Sequence, residues 1–351
     1  MISDELSDQV LILGCDYHPP KGGVAQVMYN YERYIYPKFK CIINSGGTNK
    51  VVKLMRAIVA FIKMIYCLCV DHKIQIVHIH TASYNSFRRS SLFVKLAKVF
   101  DKKVIIHIHG GGFKEYYKTS PSWISEILNK ADIIIVLSVS WKIFFESITK
   151  GPKVCVVENI VAKPNLIKKK YNDQKLHLLF LGLVDDQKGI FDLLDVIHEH
   201  VREWKSKLTL HIGGNGQIQR LENLIKKYGL KEIVSYEGFV SGEKKKELLS
   251  SCDALILPSY TEGLPVSILE AMSYGKAVFS TPVGGIPEVI YQNDNGLLFS
   301  PGDKNAMYEI IEQSLNNRDS IINMGRNSLL HITPYLPENV CKKLESIYMS
   351  L

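Results

Sequence analysis

Pro258-Ser259-Tyr260-Thr261-Glu262-Gly263-Leu264-Pro265-Val266-Ser267-Ile268-Leu269-Glu270-Ala271-Met272 is the stretch on which the reading of this chain turns. The residues before it, Cys252-Asp253-Ala254-Leu255-Ile256-Leu257, read as a buried strand. A Gly/Pro turn follows. Residues 266–274 then have helical spacing, with Pro265 suited to the first helical position. Such a strand delivers Glu262 into a crevice, while Gly263 and Leu264 lead the unsatisfied N–H groups of a helix start toward the same space. Those donors and the positive end of the helix dipole attract phosphate. Glu270 falls about one and a half turns into the helix, roughly 7 to 8 Å along its axis. Two carboxylates around a phosphate site suit a ligand with a diphosphate between two polyols, such as a nucleotide sugar. The alternative is a surface loop with two unrelated solvated glutamates.

The same strand-then-helix alternation runs outward in both directions. Residues 10–14, 74–79, 104–109, 133–137 and 154–157 read as buried parallel strands, and a second series follows at 176–181, 208–213, 234–236, 254–257 and 277–280. Strands alternating with helices predict an α/β fold with parallel sheets covered on both faces. Two series in 351 residues predict two doubly wound domains. The expected boundaries are 1–162 for the N-terminal domain, 163–175 for a polar linker containing Pro164, and 176–334 for the C-terminal domain. A last helix within 335–351 is expected to complete the first domain.

Ligands of doubly wound sheets bind beyond the carboxyl ends of the strands. The unusual clusters of this chain fall at such ends: Asp16 to Val24 with Gly22-Gly23 opening a helix, His109-Gly110-Gly111-Gly112, Gly182 with Lys188-Gly189, Gly213-Gly214-Asn215-Gly216, and Glu262. Two facing sheets whose loop ends converge predict one interdomain cleft for a small molecule.

Composition narrows the setting. Residues 1–160 hold 21 Lys+Arg against 12 Asp+Glu, a net +9, whereas residues 161–351 hold 22 against 23, a net −1. A one-sided basic half suggests an anionic surface, phospholipid or nucleic acid, with a merely solvated lysine-rich face as the alternative. The seven cysteines include no C-x-x-C pair, which fits reduced thiols in a cytosolic protein. The acidic start, Met1-Ile2-Ser3-Asp4-Glu5, is unlike a secretory signal. Residues 54–70 are apolar but interrupted by Arg56 and Lys63, so they read as an amphipathic helix, core-packed or membrane-facing, rather than a span.

These residues, taken in order, resemble the retaining nucleotide-sugar glycosyltransferases of family 4. The resemblance covers nearly the whole chain. It is carried by Gly22-Gly23-Val24, residues 132–138, Asn159, Lys188-Gly189, the Gly213–Gly216 turn, Gly238-Phe239-Val240, the E-x7-E block from Glu262 to Glu270 with Gly275, Gly284-Gly285-Ile286-Pro287-Glu288, and Gly296-Leu297-Leu298. It implies the GT-B fold, two facing Rossmann-like domains, with the acceptor side N-terminal and the NDP-sugar side C-terminal. By this resemblance Glu270 holds the ribose hydroxyls, Glu262 meets the donor sugar, and Lys188 neutralises charge developing on the leaving diphosphate. Backbone around Gly263, Leu264, Pro265 and Val266 approaches the diphosphate, with Leu264 and Val266 as donors because Pro265 has no N–H. Gly22, Gly23, Gly182, Gly214, Asn215, Phe239 and Val240 are expected around the donor, the last two by the base. His109 is expected near the reaction centre as an orienting group. Fixed positive charge and aimed donors in a dry cleft are what departure of a nucleoside diphosphate needs.

One position departs from the pattern. Where the family has an arginine after the glycine matching Gly182, this chain has Leu183, which cannot grip a diphosphate. Lys21 or another cation is then needed beside Lys188. His78, His80 and His107 are expected to be structural, and no metal site is expected, because no carboxylate or cysteine accompanies them at ligand spacing. The Gly214-x-Gly216 pattern lacks the small third position of a dinucleotide fingerprint, having Gln219 there, and this argues against a dehydrogenase.

The resemblance therefore implies a metal-independent retaining glycosyltransferase with no cofactor beyond the UDP- or GDP-linked sugar as co-substrate. The acceptor is a hydroxyl of a lipid-linked or growing glycan, as in polysaccharide biosynthesis, and domain closure assembles the site. Nucleic acid is not an expected partner. The expected location is the cytoplasm, with peripheral binding to the inner face of the cytoplasmic membrane through the basic half. Two rivals remain open: an NDP-sugar 2-epimerase of the same architecture, and a nucleotide-sugar-binding protein impaired in catalysis by Leu183.

Overall fold

The structure is a computed structural model, and it describes residues 1–47, 49–164 and 174–351. Most of the expected linker, residues 165–173, lies outside the described residues. The chain forms two compact units. Unit 1 comprises Met1–Ile160 with Tyr335–Leu351, and unit 2 is Val161–Pro334.

Unit 1 is built on six strands: β1 (Val10–Cys15), β2 (Cys41–Ser45), β3 (Ile76–Thr81), β4 (Lys103–Ile108), β5 (Ile133–Val136) and β6 (Lys153–Val156). They pair in the order β2-β1-β3-β4-β5-β6, every pairing parallel. Runs such as Ile133-Ile134-Ile135-Val136 are buried throughout, as a sheet with helices on both faces requires. Asp132, just ahead of β5, accepts the N–H of Val104 at 2.7 Å and the Lys98 ammonium at 2.5 Å, which pins the start of β4 to the start of β5. The helix Pro337–Met349 belongs to this unit: Lys343 bonds Glu158, and the Tyr348 hydroxyl meets His78 Nδ1 at 2.6 Å and the Tyr36 hydroxyl.

Unit 2 holds β7 (Leu176–Leu181), β8 (Leu208–Gly213), β9 (Val234–Gly238), β10 (Ala254–Leu257), β11 (Ala277–Ser280) and β12 (Gly296–Leu298), in the order β12-β11-β10-β7-β8-β9. Every pairing is again parallel. Counted within the unit, this is the 3-2-1-4-5-6 order of dinucleotide-binding sheets. Asp253 does for this sheet what Asp132 does for the other. It accepts the N–H of His177 at 2.8 Å and the Arg318 guanidinium at 2.7 Å. The α/β, two-Rossmann-unit expectation therefore holds for the two units taken singly.

Two strands were not anticipated, β2 and β12. Both are short edge strands, and β2 exposes Ile43 and carries the polar Asn44 and Ser45. The expected strand 74–79 starts two residues later, because Ile74 is held in a turn by its N–H to the Asp71 carbonyl. The expected amphipathic segment is a single helix, Lys50–Val70, which buries Ala60, Met64 and Leu68 in the core of unit 1. Among the described residues, no helix is long and apolar enough to cross a membrane.

Candidate functional site

The direction of strand addition in unit 2 reverses between β7 and β10. The crevice of such a sheet opens beyond the carboxyl ends of those two strands. The loop after β7 carries Gly182, Leu183 and Lys188; the loop after β10 carries Ser259 and Glu262. The fold brings them together. Lys188 Nζ lies 2.5 Å from Glu262 Oε1, and the Ser259 hydroxyl donates to the same oxygen at 2.8 Å. The Glu262 carboxylate is buried, and among the described residues both of these bonds fall on Oε1. Lys188 has three protons to donate, and Glu262 uses one.

Close backbone packing holds this pair in place. Gly189 has φ +66°, and a Cβ there would collide with the Pro258 carbonyl, so glycine lets the β7 loop lie against the β10 loop. Gly284 has φ +59°, and a Cβ there would strike the Glu262 carbonyl, while the Gly285 N–H bonds the Gly263 carbonyl at 2.6 Å. The Tyr260 N–H reaches the Gln187 carbonyl at 2.8 Å, and the Thr281 hydroxyl reaches the Ser259 carbonyl at 2.5 Å.

The helix after Glu262 runs Val266–Ser273 with no side-chain cap on its first turn. Pro265 stands one position earlier than expected. Its ψ of 124° is extended, which makes it the N-cap, and the helix opens at Val266. Gly263, Leu264, Pro265 and Val266 are all buried. Glu270, further along this helix, is paired with Lys245 of the helix Gly242–Ser251 at 2.6 Å, both side chains largely buried. Nearby, burial and the Glu270 charge push the Tyr274 hydroxyl up to about 12.

The remaining expected residues of unit 2 line the neighbouring strand ends. Gly214 follows β8, and a Cβ there would collide with the Gly182 carbonyl. The Asn215 carbonyl accepts the Val184 N–H at 2.7 Å, and its side chain faces solvent. After β9, Val240 packs over Gly213, while Phe239 is exposed. Leu183 is also exposed, an apolar side chain at the end of a buried strand. Lys245 and Ser259 had not been singled out in the sequence. Ser259 lies in the opening stretch, but Lys245 is one of three consecutive lysines and nothing in that run marks it.

Unit 1 holds the other expected residues. Its sheet reverses between β1 and β3, and Gly22-Gly23 follow β1. Gly22 has φ +133°, accessible to glycine, and starts the helix Gly23–Tyr34 without a side-chain cap, with open space beside both glycines. Lys21 is exposed in the same loop. His109 follows β4, and its Nε2 lies 2.8 Å from His80 Nδ1. Burial pushes its imidazole down to about 3, opposed by the Asn159 side chain, so His109 is a neutral hydrogen-bonding group at neutral pH.

His78, His80 and His107 are buried behind it, and one nitrogen from each lies within 4.8 Å of the others. The His78 ring is inclined only 14° to His107 and 16° to His80. His78 Nε2 lies 3.2 Å from His107 Nδ1.

Residues 163–329 match the family described as glycosyl transferases group 1. An uncharacterized glycosyltransferase, MJ1069 of Methanocaldococcus jannaschii, is 28% identical over 81% of this chain and 76% of its own length. A Campylobacter jejuni α-1,4-N-acetyl-D-galactosaminyltransferase, named for an acceptor linked to undecaprenol through diphosphate, is 24% identical over 79% of this chain and 88% of its own. Among solved structures, Anabaena HepE in complex with UDP superposes with a TM-score of 0.77 at 16% identity, over 98% of this chain and 100% of that one. These likenesses support a glycosyltransferase, and the structural one establishes the fold.

Proposed function

We propose that this chain moves a sugar from an NDP-sugar to a hydroxyl of a lipid-linked or growing glycan, with retention at the anomeric carbon and without a resident metal ion. The observation that carries the reading is the Lys188–Glu262 pair at the strand-order reversal of unit 2, beside a helix start that has no side-chain cap. In this reading the diphosphate sits at the first turn of Val266–Ser273, and Lys188 turns its spare protons toward it. Glu262 accepts from a donor-sugar hydroxyl through Oε2, and Glu270 accepts from the ribose hydroxyls. The bond from the anomeric carbon to the diphosphate oxygen breaks, and the acceptor oxygen bonds that carbon from the same face. The acceptor proton passes to the departing diphosphate. His109 is the unit 1 residue we assign to turnover, as a neutral orienting group. Lys245 is our candidate for the cation that Leu183 does not supply. It already lies beside Glu270.

Melting of the protein with UDP, GDP and ADP tests the nucleotide half of this reading. A nucleotide present at ~100 times its Kd stabilises by about 2.7 kcal/mol and raises Tm accordingly. Glu270→Ala should remove that rise. Absence of a shift with any nucleotide would sink the reading. The exposed Leu183 favours a second possibility, nucleotide-sugar binding without transfer. It would be supported by a clear Tm shift with no release of NDP from UDP- or GDP-sugars in the presence of glycan-lipid acceptors. Isomerised donor in an acceptor-free mixture would instead point to the epimerase.

A further inference from the structure

A surface helix ordinarily turns polar residues outward, and one that is apolar all round is covered by something. The helix Lys50–Val70 buries Ala60, Met64 and Leu68 on one side. Its opposite side is not polar. Successive residues turn by about 100°, which places Leu54, Met55, Ile58, Ile62, Ile65 and Tyr66 on one outward stripe. Leu54, Ile62 and Tyr66 are 63%, 61% and 67% exposed. The 21-residue helix makes that stripe about 30 Å long.

The charge around the stripe is predominantly positive. Between Glu32 and Asp101 the chain carries one acidic residue, Asp71, against twelve Lys and Arg. The helix Asn85–Val99 packs beside Lys50–Val70, with Phe93 against Phe61, and turns Arg88, Leu92, Lys95 and Val99 outward. The two helices together contain eight cations and no acid. Arg56 and Lys98 are tied to Asp16 and Asp132; Lys53, Lys63, Arg88 and Lys95 stand exposed.

We propose that this face docks on an anionic lipid bilayer, with Lys50–Val70 lying in the plane of the headgroups, its Leu/Met/Ile/Tyr stripe in the acyl boundary and its cations on anionic headgroups. An apolar stripe alone would equally suit a second copy of the chain. The charge decides against that occupant, since a symmetric pairing would set the exposed cations Lys53, Lys63, Arg88 and Lys95 of one copy against the same four of the other. Four charges within the helix exclude burial across the bilayer and favour the in-plane pose. The proposal rests on the glycosyltransferase reading only for its purpose, bringing the chain to a lipid-linked acceptor.

Flotation of the full chain with phosphatidylcholine vesicles, with and without phosphatidylglycerol, tests it. Recruitment is expected with the anionic vesicles at ~50 mM salt and should weaken as salt is raised. Ile58→Glu with Ile62→Glu should lower recruitment at least about tenfold. Nucleotide-induced Tm shifts of that variant report separately on unit 2, and hydrogen-exchange protection of the unit 1 strands shows whether the mutated unit has folded. Should the double variant not fold, Tyr66→Trp supplies the readout, its emission shifting to the blue on anionic vesicles. Failure of anionic vesicles to recruit the protein overturns the proposal, as does recruitment that the double variant leaves unchanged. A concentration-dependent dimer in sedimentation, abolished by the double variant and without vesicle binding, would assign the face to a second copy and overturn it as well.

Discussion

Glu262 and Lys188 are 74 residues apart in the chain and 2.5 Å apart in the structure. Each was legible as a candidate from its local pattern, but their pairing was not, because it depends on β7 and β10 lying side by side. Lys245 was illegible for a related reason: three lysines in a row carry no mark of which one turns inward, and only the packing of Gly242–Ser251 decides it. Two predictions belong at this scale. Lys188→Ala should cut turnover by ~10²–10³, the size of effect seen when one stabilising donor is removed from a developing anion. It should leave much of the nucleotide Tm shift, and a variant with full turnover would refute the assigned role. Gly189→Ala and Gly284→Ala should each destabilise unit 2 by about 2 kcal/mol or more, because the new Cβ meets backbone carbonyl at a positive φ. Urea midpoints measure this, and unchanged midpoints would show that the loops give way.

Elements were easier to foresee where burial is complete. The strands at 176–181, 208–213, 254–257 and 277–280 match observed bounds, since a strand covered on both faces must be apolar along its length. β2 escaped because an edge strand has one neighbour and tolerates polar residues, and β12 because its three residues are too few to stand out as a run. The Pro265 shift is of another kind. The residue admits both the N-cap and the first helical position, and its extended ψ of 124° puts it at the N-cap. Strand starts are held by Asp253 and Asp132. Asp253→Ala should cost unit 2 about 1–3 kcal/mol by leaving the His177 N–H and the Arg318 guanidinium short of a partner. Adding Arg318→Ala should cost less than the two separate losses combined, and strict additivity in urea unfolding would contradict a shared bond.

At the scale of the whole molecule, the two units should answer pH differently. Burial pushes the His78 imidazole down to about 3, as it does His109, and holds His80 and His107 well below their ordinary value. In the unfolded chain these groups titrate near 6.5. At pH 7 and above both states are neutral and the histidines contribute no pH dependence. As pH falls below about 6.5 the unfolded state takes up protons that the folded state refuses. Stability of unit 1 is then lost toward pH 3, by at most about 1.4 kcal/mol per pH unit for each histidine. Hydrogen exchange of unit 1 segments should therefore accelerate between pH 7.5 and 5.5, after correction for intrinsic rates, more than that of unit 2. Equal changes in the two units would show that the buried histidines are not responsible.

The helix Pro337–Met349 adds a constraint in time. Residues 335–351 belong to unit 1, where Tyr348 bonds His78 and Tyr36, yet the ribosome makes them only after all of unit 2. During synthesis unit 1 has all six of its strands by Val156, yet unit 2 is the first to have every one of its elements. Unit 1, begun some three hundred residues earlier, keeps a gap over His78 until those residues emerge. A stop codon ahead of Pro337 would thus damage the half of the protein translated first and leave the half translated last intact.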